Sequence, residues 1–223
     1  MPADDPAVIE AIEHQLQKGE PFSDGELASI DVLAVVFPAS LAGIERISGL
    51  QTLVILGYGG RSLDVLAGLG LGVLDVRVSS VDSLDVVTQL PQLRTLSVNN
   101  CAVEEIDVLA DGEHIVDELD LTGNPLSDRA YNDVLPRLRE RISESLVFSG
   151  EREWRLTRRL YAAGLPFDYY YHRRAGGYRL CRPGLAYTSA PDADHLRIEP
   201  DDLEAILDRN PSELLGMFPT YDR

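Results

Sequence analysis

The sequence predicts an α/β fold: a short solenoid with a parallel sheet on its concave face and 3-10 or short helical turns on its convex face. Helical caps close it, and a small C-terminal α+β module follows. Three observations carry this. The pattern aliphatic-x-x-aliphatic-x-aliphatic recurs five times, at Leu27/Ile30/Val32, Leu50/Leu53/Ile55, Leu71/Leu74/Val76, Leu93/Leu96/Val98 and Val116/Leu119/Leu121. A second ladder, spaced by three, follows the first four copies at Leu41/Ile44/Ile47, Leu63/Leu66/Leu69, Leu84/Val87/Leu90 and Ile106/Leu109. The recurrence then stops, and residues 148–223 show no repeat.

Each element follows from a local reason. Asp5-Pro6 before AVIEAIEHQLQ is a helix start, a capping carboxylate followed by proline in the first turn. Val8, Ile9, Ile12 and Leu16 make one apolar stripe, so residues 1–22 read as an N-terminal capping helix. Residues 23–128 hold about five repeats. In each, a strand is followed by a tight turn, because residues three apart share one face of a 3-10 segment. One unit cannot bury its apolar face alone, and stacking the units makes a continuous core. Residues 129–147 read as a C-terminal capping helix, with Tyr131, Val134, Leu135, Leu138 and Ile142 at helical spacing and a kink expected at Pro136. In the module, EREWRLTRRLYAAG is a helix ended by Gly164, and PFDYYYHRR-AGG-YRLCRP a hairpin turning at Ala175-Gly176-Gly177. SAPDADH is a loop, and EPDDLEAILDRN and PSELLGMF are helices.

The segments LRTLSVNNCAVEEIDVLADG and VDELDLTGNPLSD fit LxxLxLxxN/CxL, with Cys101 and Asn124 at the ninth place. On these residues the chain resembles the leucine-rich-repeat family, nearest to the type of about 22 residues found in internalins and in a protein-phosphatase regulator. The resemblance covers roughly residues 23–128 and is strongest from 50 to 126. It implies a ladder of asparagines bonded to backbone in the turns. Val35, Tyr58 and Ser79 hold that place in the other copies, which implies a looser turn toward the N-terminal end. It also implies a concave protein-binding face, and makes Cys101 a buried ladder residue rather than a reactive thiol.

Alternation along the strands assigns the concave face. One row is Ser29, Thr52, Val73, Thr95 and Glu118; the next is Asp31, Val54, Asp75, Ser97 and Asp120; the third is Leu33, Leu56, Arg77, Asn99 and Thr122. Val54, Leu56 and Val73 form an apolar patch with carboxylates beside it, the usual mark of a binding surface. The candidate partner-binding residues are therefore Asp31, Thr52, Val54, Leu56, Val73, Asp75, Arg77, Thr95, Ser97, Asn99, Glu118, Asp120 and Thr122.

Charge narrows the partner. The net charge is −17. Residues 1–128 carry 22 acids and five bases, residues 129–182 six acids and 12 bases, and residues 183–223 nine acids and three bases. An acidic protein with one basic block disfavours nucleic acid and anionic membranes and favours a basic protein partner. The basic block also admits self-association with the acidic half of a second copy. Within it, Tyr170, His172, Arg173 and Arg174 form a second candidate surface, since tyrosine and arginine are enriched at interface hot spots.

No phosphate-loop, GxSxG or HExxH motif occurs, and the four histidines lack metal-ligand spacing, so no cofactor and no metal are expected. Cys101 and Cys181 lie 80 residues apart without a CxxC, and the N-terminus carries no signal-peptide pattern, so a cytoplasmic location is expected. The leading functional reading is a non-enzymatic protein-binding scaffold, such as an inhibitor or immunity-type protein. Two alternatives stand beside it: a modifying enzyme whose module uses Cys181 with His172 as base, and a self-associating structural subunit.

Overall fold

The computed structural model describes residues 4–112, 116–181 and 195–218. Helix α1 (Pro6–Leu16) opens the chain, with Asp5 as N-cap accepting from the Ala7 amide at 2.9 Å. The other Asp5 oxygen accepts from the Ser40 amide at 2.7 Å, so one buried carboxylate both caps the helix and ties it to the first repeat. A short helix α2 (Asp24–Ala28) follows, closed by a reciprocal Ser23–Glu26 capping box.

Five strands then recur: β1 (Val32–Val36), β2 (Thr52–Leu56), β3 (Val73–Arg77), β4 (Thr95–Asn99) and β5 (Glu118–Asp120). They stack in chain order as a parallel sheet. The return segments are 3-10 turns at Ile44–Arg46, Asp64–Leu66 and Asp85–Gln89 and a short helix α3 (Asp107–Asp111). Every strand turns two or one of its central aliphatics inward, Leu33 and Val35 in β1, Leu53 and Ile55 in β2, through to Leu119 in β5. With the turn ladder, these form one unbroken core from Val8 and Ile12 to Trp154. The fold is thus mixed α/β with a parallel six-stranded sheet, built as a leucine-rich-repeat-like solenoid.

Two features differ from the sequence reading. The first repeat is shifted by three residues. Val32 pairs with Thr52 and Leu33 with Leu53, so Ile30/Leu33/Val35, not Leu27/Ile30/Val32, occupy the core positions. Leu27 belongs to α2, where the capping box starts a helix before a strand can begin. Asp31 consequently precedes β1, and Ala34 takes the place assigned to it in the second row.

The second difference lies at the other end. The expected capping helix begins as a π turn (Ala130–Val134) running into α4 (Leu135–Arg141), whose Pro136 has no amide to give the preceding turn. It stops at Arg141, and β6 (Ser145–Val147) joins the sheet beside β5 as a sixth strand.

The module is a three-stranded antiparallel sheet, β7 (Asp168–Tyr171), β8 (Tyr178–Cys181) and β9 (His195–Arg197), with helices α5 (Glu151–Ala162), α6 (Pro200–Arg209) and α7 (Glu213–Met217). It has its own core of Leu156, Leu160, Phe167, Tyr169, Leu180, Leu203 and Leu214. Helix α5 serves both cores: Trp154 faces the repeats, Leu156 and Leu160 the module. His195, expected in a loop, lies in β9; the rest of that loop, Ser189–Asp194, is outside the described residues.

Five arginines of the basic block pair with acids outside it. Arg129 pairs with Asp107 at 2.5 Å, Arg137 with Asp111 at 2.7 Å and Arg158 with Asp128 at 2.5 Å, all acids of the repeat half. Arg152 pairs with Asp201 and Arg159 with Asp208 at 2.5 Å, on α6. The block therefore acts as an electrostatic seam between two acidic parts. Exposed pairs of this kind are screened by solvent, so the effect is orientation more than stability.

Candidate functional site

The open face of the sheet, opposite the 3-10 turns, presents the side chains that alternate with the core residues. Its rows are Val32, Thr52, Val73, Thr95 and Glu118; Ala34, Val54, Asp75, Ser97 and Asp120; and Val36, Leu56, Arg77 and Asn99. The face has three zones.

The N-terminal zone is apolar. Val32, Val36 and Phe37 are 44%, 51% and 63% exposed, and Val54 and Leu56 lie beside them. Helix α1 forms a wall here: Ala7, Glu10, Ala11 and His14 face Val32, Ala34 and Val36 across a groove of about 380 Å³. The Phe37 ring lies over Gly57, where a β-carbon would come within 2.2 Å of it, so a side chain at 57 would displace the ring.

The central zone is polar, and its groups bond to one another. Arg77 forms an ion pair with Asp75. The Ser97 hydroxyl donates to Asn99 Oδ1 at 2.6 Å, and Thr122 donates its hydroxyl and amide to Asp120 Oδ1 at 2.6 and 2.9 Å. The Thr95 hydroxyl donates to Glu118 at 3.4 Å. Asp75 is thus paired with its neighbour, while among the described residues Glu118 and Asp120 form no ion pair.

The third zone joins sheet and module. Thr122, Val147, Tyr170, Tyr171, Arg173 and Tyr178 line a cleft of about 580 Å³. The Glu153 carboxyl lines it too, and burial raises its pKa against the lowering effect of the Gly150 and Tyr171 amides. The structure brings the end of the sheet face and the hairpin, two candidate surfaces far apart in sequence, into one cavity. Arg173 and Arg174 are exposed, and among the described residues neither is in an ion pair.

His172 is not part of that surface. It is 1% exposed, and its Nδ1 accepts from the Ala175 amide at 3.0 Å, which holds the hairpin turn. Tyr170 bonds its hydroxyl to His195 Nδ1 at 2.9 Å, a partner that a lone three-residue strand gave no signal of in the sequence. Cys181 is buried between Asp168 and His195 in the sheet, and burial pushes its thiol upward, the reverse of an activated nucleophile. Cys101 is buried as a ladder residue, and burial pushes it up to about 12.

The ladder itself is polar where the sequence allows. Asn124 donates to the Val98 and Leu121 carbonyls at 2.6 and 2.9 Å and accepts from the Val103 amide at 3.3 Å. Ser79 and Ser149 are its shorter versions, accepting from the Tyr58 amide at 3.0 Å and the Gly123 amide at 2.9 Å.

Solved structures similar to this chain include internalin C2 of Listeria monocytogenes, at a TM-score of 0.43 and 14% identity over 66% of this chain and 87% of that one. Internalin F of the same organism aligns at 0.25 and 18%, over 66% and 71%. A Clostridium perfringens ZmpB fragment aligns at 0.27 and 20%, over 47% of this chain and 18% of the other. No family model and no curated protein matches the sequence. The repeat architecture rests on the strand register and the continuous core. No described helix is long and apolar enough to cross a membrane.

Proposed function

We propose that the chain is a non-enzymatic protein-binding scaffold that takes a partner segment along the open sheet face. The observation that carries this is the groove between α1 and β1, walled by a helix and floored by exposed Val32 and Val36. Large apolar side chains held in water on a rigid sheet cost free energy that a partner recovers, and a preformed surface loses little entropy on binding. The zones order the partner's chemistry: apolar residues over β1 and β2, basic residues opposite Glu118 and Asp120, and an extended or aromatic segment in the tyrosine-lined cleft. An inhibitor or immunity-type role toward a basic protein is the concrete form of this reading.

The other two readings have less support. The modifying-enzyme alternative needs a reactive Cys181, whose thiol is buried and raised. The self-association alternative needs a free basic block, and half of its 12 arginines pair within the chain.

Panning the purified chain against a random-peptide display library tests the proposal. Peptides combining aliphatic and basic residues should be enriched, and Val32→Asp with Val36→Asp should abolish their binding while circular dichroism stays unchanged. Equal binding of the selected peptides to that double variant would overturn it.

A further inference from the structure

We propose that the seam between the repeat loops and the module is a second binding site, one that receives a guanidinium group presented as an arginine side chain of a partner protein. A narrow cavity of about 130 Å³ lies there, on the loops that follow β3 and β4, lined by Ser79, Ser80, Asn100, Tyr161 and Asp168. Through Ser80, Ala102 and Tyr161 it adjoins a wider hollow of about 490 Å³, rimmed by Asp82, Glu104 and Glu105. The two form a funnel with carboxyls at both the rim and the floor. This site is separate from the sheet face and stands whether or not that face binds.

The floor is what points to a cation. Asp168 is 5% exposed and lines the cavity. Its Oδ2 lies 3.7 Å from Cys181 Sγ, a weak donor, and among the described residues no cation pairs with it. A buried carboxyl without a cation is costly, and natural folds seldom retain one without a use. Burial raises its pKa well above the ordinary carboxylate range, against the lowering effect of the Cys181 bond. At the rim, Arg61 engages Asp82, which leaves exposed Glu104 and Glu105 to attract the incoming charge.

The walls favour guanidinium over ammonium. Val78, Ala102, Pro166 and the Tyr161 ring are apolar surfaces, and Tyr161 spends its hydroxyl on the Cys101 carbonyl at 2.9 Å. A planar, weakly hydrated cation loses less on entering such a slot and can address a carboxylate with two parallel bonds.

The test uses the full chain with Nα-acetyl-arginine methylamide, and with the lysine and citrulline counterparts, followed by backbone and tyrosine-ring NMR at constant ionic strength. The arginine compound should give saturable shifts at Ser80, Ala102, Tyr161 and Asp168. The lysine compound should bind more weakly, and the citrulline compound should leave these signals unmoved. Asp168→Asn should abolish the shifts. Glu104→Gln with Glu105→Gln, both at exposed positions that leave the core intact, should weaken binding severalfold, and decides the matter if Asp168→Asn fails to fold. Equal shifts with citrulline, equal affinity for lysine, or arginine binding unchanged in the variants would each overturn the proposal.

Discussion

The Trp154 indole N–H donates to the Leu126 carbonyl at 2.7 Å, and this bond anchors the first helix of the module in the repeat core. The same ring stacks on Tyr131, with centroids 3.8 Å apart, and Tyr131 donates its hydroxyl to the Ser149 carbonyl at 2.9 Å. Arg158 lies over the indole at 5.4 Å while pairing with Asp128. Trp154→Ala should therefore cost about 3–5 kcal/mol, combining a large cavity with an orphaned carbonyl. Trp154→Phe, which keeps most of the stack, should cost less. Urea unfolding followed by circular dichroism measures both, and a loss below about 1 kcal/mol for the alanine variant would show that the anchor is not structural.

Asn124 is the full version of the turn ladder, and its removal should be felt most. Asn124→Ala strips partners from two carbonyls and one amide inside the protein and should cost about 2–4 kcal/mol. Ser79→Ala, with a single amide to orphan, should cost about 1–2 kcal/mol. Equal losses in thermal unfolding would mean that the ladder bonds do not set turn stability.

Two carboxyls pull stability in opposite directions with pH. Burial raises the folded pKa of Asp168, so as pH rises the unfolded chain releases this proton first and the folded chain holds it to higher pH. Stability from this group is full below the ordinary aspartate value of 3.8 and declines as pH rises through the raised folded value. Asp168→Asn should remove that decline and raise the neutral-pH melting temperature relative to the parent. Glu26 is lowered to about 2, first by its bond to Lys18 and then by Ser23, so its contribution is present above 4.5 and lost as pH falls toward 2. Melting curves from pH 4 to 8 for Asp168→Asn check the first sign, and a parallel slope in both proteins would contradict it.

Both thiols should be silent in the native state. Cys101 and Cys181 are buried, and burial keeps each protonated at pH 8. A disulfide reagent should titrate neither thiol in native protein and both in guanidinium chloride. Stoichiometric labelling of native protein within minutes would mean that the module opens readily at β8.

Much of this architecture was legible in the chain, for a reason specific to repeats. Each unit must bury three aliphatics from its strand and two or three from its turn, so Leu50, Leu71 and Leu93 announce themselves without an alignment. The hairpin was legible too, since Gly176 and Gly177 both adopt positive φ at the predicted turn. The first repeat was not, because Leu27/Ile30/Val32 and Ile30/Leu33/Val35 both satisfy the pattern, and only pairing with β2 chooses between them. Strand β6 was hidden because Ser143 stands where the other repeats carry Leu, Ile or Val, and its three residues draw their order from β5.

The site divides in the same way. Alternation by itself determined which residues of β2 to β5 face outward, since a strand can only turn neighbours to opposite sides. Tertiary structure alone decided what those residues do: that Asp75 is paired with Arg77, that α1 turns Val32 and Val36 into a groove, and that Tyr170 and Arg173 meet Thr122 and Val147 in one cleft. It also decided the fate of five arginines of the basic block, which pair with acids roughly 20 to 50 residues away. Local pattern follows from periodicity and burial, which act within a few residues. Charge pairing and cavities depend on which distant segments the folded core brings together, and no stretch of the chain carries that information by itself.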